Sequence, residues 1–466
     1  MKNSFFKSSL TFGLGFVFLR GISFLLLPIH TNFLSTFDAG IVFIIYSILA
    51  FLNPVYALGM DSALFKFFNS KKHSQQEIIS SSLIFSIIFS TILSGTLCIL
   101  SLFCSNIFNI TYNWLWLIAL ILFFDSISSR LLILLRLFDR PRYYLCVGLI
   151  NILSSLFFNL LFIQACSLGD RGALYALLST AIIQFIALFP LFFYYINLKH
   201  FNFNLCKKML LFGLPFLPSA LLFILTSVVD RFFIEHFLDL NAVGVYGAGY
   251  KIGSLVSIVV IAFNLAWQPY YLKYFQSADF INNIKLISRN FSIILLYIAT
   301  GITVWSDSII KVQFFNVYII GVDFWAAVSI VPWIAFSYFF YGLFILQIPT
   351  IYIHNKQNWS PLFWGAGATT NILLNYFLVP LFGINGAAIA TLVSFLIMFM
   401  FIKYKNQSWM PINFVNKKLI FCFLLSGITI YLFHFSNMKP LLLACVFVVY
   451  SGISATCLIV NKSISK

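Results

Sequence analysis

Fourteen apolar stretches, most about 20 residues long, run almost unbroken along this 466-residue chain, and its charges are confined largely to the gaps between them. Hydrophobic residues make up 61% of the sequence and charged residues 9%, too little charge to cover the surface of a soluble protein. An apolar helix of about 20 residues crosses the ~30 Å hydrocarbon layer. The stretches are continuously apolar and do not alternate. Backbone in lipid must satisfy its own hydrogen bonds, so helices are expected and strands are not. The spans fall near 8–29, 40–60, 78–103, 113–135, 143–165, 172–195, 208–229, 242–268, 286–305, 324–348, 360–380, 386–403, 417–434 and 440–460. The expected class is an all-α polytopic membrane protein of about 14 transmembrane helices. No gap exceeds about 20 residues, which leaves no room for a soluble catalytic or receptor domain.

The gaps alternate in charge. One set is rich in Lys and Arg, whereas the other loops and span ends carry only Arg171, Arg231, Lys311 and Lys439. By the positive-inside rule both termini are cytoplasmic, which requires an even number of spans. The net charge of +16 is therefore a topology signal with attraction to anionic membrane lipids, not a nucleic-acid patch. The N-terminus has the basic start and apolar run of a signal peptide, but Pro28 and His30 lead straight on without a small-residue cleavage site, so an uncleaved first helix is expected. Eight scattered cysteines contain no C-x-x-C pair and read as small hydrophobes.

A weak internal repeat connects the two halves. Phe33-Leu34 with Gly40-Ile41 matches Phe237-Leu238 with Gly244-Val245, 204 residues on. Asp170-Arg171-Gly172-Ala173 matches Ile384-Asn385-Gly386-Ala387, 214 residues on. Both offsets equal six spans, and an even-span repeat keeps its orientation, so two pseudo-symmetric six-helix lobes are expected. The divisions are 1–206 for spans one to six, 207–408 for spans seven to twelve, and 409–466 for two additional spans. Pro215 and Pro218, early in span seven, are the best hinge candidates. Gly244, Gly247, Gly249 and Gly253 in span eight permit close helix contact or backbone exposure to a cavity. No preceding strand and no G-K-[ST] accompany them, which excludes a nucleotide loop.

The charges that break the sorting carry the functional reading. Arg20 and Asp125 lie near the middle of spans one and four, Arg130 nearer the cytoplasmic end of span four, Asp230 and Arg231 at the outer end of span seven, and Lys251 near the middle of span eight. A midplane charge costs several kcal/mol and so faces a wet cavity or a partner. Asp125 could neutralise Arg20 or Lys251, and Asp230 could act similarly from above. Four cations against two anions leave a positive excess, which suits an anionic substrate, because guanidinium groups match phosphate oxygens. A desolvated Asp could also bind a coupling H+ or Na+, and Asp125 is the deeper of the two. Asn53, Asn264, Gln268, Asn371 and Asn375 are candidate polar lining, with helix–helix glue as the other reading. Asn159, Gln164 and Gln184 stand in the same position. The six histidines show no metal-ligand spacing and no Ser or Cys sits in a nucleophile elbow, so neither an enzyme nor a cofactor is expected.

Asp230-Arg231, Gly244-Val245-Tyr246, Lys251 and Ala266-Trp267-Gln268-Pro269 resemble the span-seven-to-eight signature of bacterial lipid-linked oligosaccharide flippases. Asn371-Ile372-Leu373-Leu374-Asn375 through Pro380, with Gly383-Ile384-Asn385-Gly386-Ala387-Ala388, resembles their span-eleven signature, and Gly40 and Gly59-Met60 fit the first half. These flippases belong to the multidrug/oligosaccharidyl-lipid/polysaccharide exporter superfamily, and the resemblance extends over the whole chain in span number and loop length. It implies two lobes around a central cavity and alternating access. The implied activity moves an undecaprenyl-diphosphate-linked oligosaccharide to the outer leaflet of a bacterial inner membrane, for O-antigen, capsule or exopolysaccharide, with other polysaccharide assembly proteins as partners. It makes Arg20 and Lys251 the leading headgroup contacts, with Arg130 and Arg231 at the ends of the path. Asp61 departs from the pattern, since a basic or neutral residue is expected at the end of span two. The alternatives are a multidrug or small-cation antiporter of the same superfamily, which would want an acidic cavity, and a polysaccharide polymerase or ligase, which would want a large outer loop.

Overall fold

The computed structural model describes residues 24–459 except 69, 71, 104–105, 108–109, 112–113, 315–316 and 436–439. It is helical almost throughout, as continuous apolar sequence requires. Ten helical segments among the described residues are long and apolar enough to cross a membrane. The chain divides into two compact units, Met1–Arg231 and Phe232–Lys466. That division lies within the helix Leu217–Phe237, just past the stretch expected as span seven.

In the first unit, α1 (Leu27–Phe33) leads into α2 (Thr36–Ala57). Ser35 starts α2 by accepting from the Asp38 amide at 3.1 Å while its hydroxyl donates to the Asp38 carboxylate at 2.8 Å, a capping arrangement in the Ser-x-x-acid pattern. The helix ends where Leu58 (φ 45°) and Gly59 (φ 69°) both turn left-handed, and α3 (Met60–Phe67) starts from that corner. Next come α4 (Gln75–Phe103), α5 (Leu115–Leu137) and α6 (Pro141–Asn159). A π-helical turn, Leu160–Ala165, extends α6, and α7 (Gly169–Tyr195) returns across the unit. Helix α8 (Phe203–Gly213) is capped by Asn202, whose side chain accepts from the Leu205 amide at 3.1 Å. A 3-10 turn, Leu214–Phe216, joins α8 to α9 (Leu217–Phe237).

Two apolar cores occur among the described residues of this unit. Ile79 and Leu83 of α4 pack with Ile127, Leu131 and Leu134 of α5, Tyr144 and Val147 of α6, and Leu188 and Leu191 of α7. Met60, Ala63 and Leu64 of α3 pack with Ile78, Ile133, Leu205 and Met209, which seats α8 against α3. At the edge of that second core the corner before α3 meets the corner after α8. A Cβ on Gly59 would lie 2.2 Å from the Gly213 carbonyl oxygen, and one on Gly213 would lie 2.6 Å from the Gly59 oxygen. Only glycine permits this backbone approach.

The second unit opens with α10 (Leu240–Gly253), capped by Asp239, and continues through α11 (Leu255–Tyr274) and α12 (Phe280–Ile310). A nine-residue 3-10 segment, Val322–Ile330, precedes α13 (Val331–Gln347) and α14 (Pro349–Ile353). Helix α15 (Ser360–Trp409) is 50 residues long and loses helical geometry at Gly383 (φ 58°, ψ −139°), between the stretches expected as spans eleven and twelve. The last helices are α16 (Lys417–Phe435) and α17 (Pro440–Ile459). Two short hairpins, Asn106–Ile107 with Ile110–Thr111 and Gln313–Phe314 with Val317–Tyr318, are the strands among the described residues.

Candidate functional site

Arg130, expected at the inner end of a substrate path, is fully buried. Its guanidinium pairs with the Asp61 carboxylate through Nη1, which also donates to Ser129 Oγ at 3.3 Å. Nη2 donates to the Ala57 carbonyl at 3.1 Å and Nε to Ser86 Oγ at 3.3 Å. One side chain of α5 thus ties down the C-terminal carbonyl of α2, the first turn of α3 and the middle of α4. Helix ends leave carbonyls without intrahelical partners, and Arg130 supplies a donor to one of them from across the bundle. Asp61, the residue that departs from the flippase pattern, is the counterion of this knot. Counting it, the four misplaced cations face three anions. Asp61 ends span two and Arg130 lies toward the same end of span four, so the sequence puts them at one depth without saying that their helix faces meet.

Asp230 and Arg231 also pair. Asp230 Oδ1 accepts from the Arg231 amide at 2.9 Å and from its Nη1 at 3.4 Å, while Nη1 donates to the Ser227 carbonyl at 2.9 Å. Asp230 is fully buried and the Arg231 side chain 11% exposed. Asp125 is half-buried on α5 and, among the described residues of its own unit, meets no hydrogen-bond or ion-pair partner. Lys251 is half-buried in the last turn of α10, where a cation also suits the helix dipole. Its helix is held by close packing. A Cβ on Gly249 would lie 2.5 Å from the Ala327 oxygen and one on Gly253 2.7 Å from Ile334 Cβ, so these two glycines serve close contact. The Tyr250 and Tyr338 hydroxyls bond at 2.9 Å beside them. Arg20 lies outside the described residues.

The candidate lining residues separate into two kinds. Asn371 and Asn375 of α15 are fully buried: Asn375 Nδ2 donates to Asn371 Oδ1 at 2.9 Å, and Asn371 Nδ2 to Thr391 Oγ1 at 3.3 Å across the Gly383 break. This is the glue role. Asn53 and Gln268 are exposed and Asn264 is half-buried. Sequence reasoning missed the buried pair of His30 Nε2 with Asn159 Oδ1 at 2.9 Å, which ties α1 to the last turn of α6 just before the π-helical segment. No group of metal ligands occurs among the described residues.

The model of a family described as polysaccharide biosynthesis protein matches residues 5–275, more than half of the chain. The chain belongs to this family. Among curated proteins, the family member is similar to an uncharacterized membrane protein of Methanocaldococcus jannaschii, 22% identical over 429 residues, or 86% of this chain and 83% of that one. Among solved structures it is similar to the lipid II flippase MurJ in an inward closed conformation, with a TM-score of 0.67 and 16% identity over 97% of this chain and 98% of that chain. An inward-facing multidrug resistance MATE transporter of the MOP superfamily gives a TM-score of 0.62 at 14% identity, over 84% of this chain and 95% of that chain. Likeness at these identities establishes the fold. The chain is a multi-pass membrane protein of the polysaccharide biosynthesis family with the MATE/MurJ-like fold.

Proposed function

We propose that the chain is a flippase that moves an undecaprenyl-diphosphate-linked oligosaccharide from the cytoplasmic to the outer leaflet of a bacterial inner membrane by alternating access, in a capsule, O-antigen or exopolysaccharide pathway. The observation that carries the reading is a polysaccharide-biosynthesis match on a chain whose fold follows a lipid II flippase along 97% of its length. A multidrug antiporter is the second reading, favoured by the MATE-like fold, but the family match and the absence of an acidic excess speak for a phosphate-bearing substrate. Arg20 and Lys251 are the proposed headgroup contacts. Arg130 and Arg231, each engaged by a carboxylate, act mainly by shaping the helices around the path. Asp125 is the proposed ion-coupling carboxylate: a half-buried acid with no partner among the described residues of its unit is costly to keep charged unless an ion or proton neutralises it. H+ and Na+ are the candidate ions.

The test replaces Arg20 and Lys251 with Ala, singly and together, and scores surface polysaccharide in a strain lacking its own flippase. Loss of export at normal membrane levels of the variants is expected. Normal export with both removed overturns the headgroup assignment, and drug efflux without glycan export overturns the flippase reading.

A further inference from the structure

The α3–α8 seam has a chemistry that neither the fold nor the substrate reading uses. The apolar run expected as span seven starts at residue 208 and continues through α9, so Lys207 and Lys208 of α8 lie at its cytoplasmic end by the charge asymmetry. Helix α8 buries Leu205 and Met209 against α3 and leaves Lys207 and Lys208 exposed. Each lysine has an apolar residue one turn on: Leu211, 63% exposed, follows Lys207, and Phe212 follows Lys208. Lys66 of α3 brings its ammonium to 3.7 Å from the Phe212 ring, and the Arg136 guanidinium lies over the exposed Phe65 ring at 5.2 Å. Cations and exposed apolar side chains thus alternate around one seam.

Among the described residues no ion pair engages Lys207 or Lys208. No acidic residue occurs between Arg171 and Val229. The acids of the adjoining elements are occupied: Asp61 by Arg130, and Glu77 by His73 and Asn202. Headgroup-level cations flanked by apolar side chains match an acidic phospholipid, whose phosphate meets the ammonium while its acyl chains meet Leu211.

We propose that the outward face of α8, with Lys66, Lys207 and Lys208, is a docking surface for acidic glycerophospholipid of the cytoplasmic leaflet. The proposal rests on the orientation read from the charges and is independent of what the chain carries. The test measures binding of fluorescent phosphatidylglycerol relative to fluorescent phosphatidylcholine by the purified full-length chain in detergent. Each lysine near an anionic surface contributes about fivefold, so Lys207→Gln with Lys208→Gln lowers the preference by roughly 25-fold. Lys207→Arg with Lys208→Arg keeps it, and raised salt weakens it in the unaltered chain. A wild-type preference in the double Gln variant overturns the proposal. So does an equal loss from Lys403→Gln with Lys405→Gln on α15, which would mean that any two basic charges serve. Should the Gln pair fail to fold, a salt-independent preference in the unaltered chain overturns it as well.

Discussion

Replacing Asp61 with Ala tests whether Arg130 is a structural knot or a substrate contact. The substitution leaves a fully buried guanidinium without its counterion. Removing one partner of a fully buried ion pair costs about 3–5 kcal/mol, while an exposed pair contributes about 0–1 kcal/mol. The Asp61 side chain is 42% exposed and water can partly replace it, so the expected loss lies between these limits, about 2 kcal/mol. That corresponds to roughly a 30-fold shift in the folding equilibrium. Arg130 retains its bonds to Ala57, Ser86 and Ser129, which is why the loss does not reach the upper limit. The assay is a double-mutant cycle on the purified protein with Asp61→Ala, Arg130→Met and both, read by reversible unfolding in detergent and by glycan export. A coupling of about 1–2 kcal/mol is expected, because the double variant removes the stranded charge. Export should fall only as far as the folded population does. Additive stabilities, or loss of export by Asp61→Ala at unchanged stability, refute the knot and return Arg130 to the substrate path.

Gly213→Ala puts a methyl 2.6 Å from the Gly59 oxygen and 2.7 Å from its carbonyl carbon, so it should cost about 1–3 kcal/mol in unfolding measurements, and Gly59→Ala more because of its φ of 69°; a Gly213→Ala variant as stable as the parent would dissolve the backbone contact. Asn371→Leu removes the bonds from Asn375 Nδ2 to Asn371 Oδ1 and from Asn371 Nδ2 to Thr391 Oγ1, while Asn375 keeps the Asn371 carbonyl and Thr391 the Ala387 carbonyl, so it should cost about 1–2 kcal/mol, whereas Gln268→Ala on an exposed face should stay within about 0.5 kcal/mol; equal losses at the two sites would contradict the division between glue and exposed polar residues. Cys166 is exposed at the turn between α6 and α7, on the side that the charge rule makes periplasmic. A membrane-impermeant maleimide should label it in intact spheroplasts, and labelling only after lysis would invert the topology.

The membrane class and the helical segments were readable because each depends on a local quantity, the transfer free energy of about 20 consecutive side chains. The uses of Gly249, Gly253, Asn371 and Asn375 were half readable. Their four-residue spacings place each pair on one helix face, but deciding between packing and lining needs the neighbour that faces them, here Ala327, Ile334 and Thr391. Asp61 with Arg130 was not readable as a pair. The residues are 69 apart, and their meeting depends on the rotation of two helices about their own axes, which apolar periodicity sets poorly when every face is apolar. The same holds for the Gly59–Gly213 approach, made by two corners brought together only when α8 packs on α3.

Depth in the membrane therefore selects charged residues that need an explanation without saying which explanation applies. The count of filled donor positions separates them better. Arg130 uses Nε, Nη1 and Nη2 within its own unit, which leaves little of its fork for a phosphate without breaking the cap on Ala57. Its buried charge stiffens the corner of α2 and α3 against which Gly213 rests. The departure at Asp61 then has a physical reason: a neutral residue there would leave Arg130 buried and uncompensated, so the two positions must change together. A member of this family with a neutral residue at the end of span two should accordingly lack the arginine in span four.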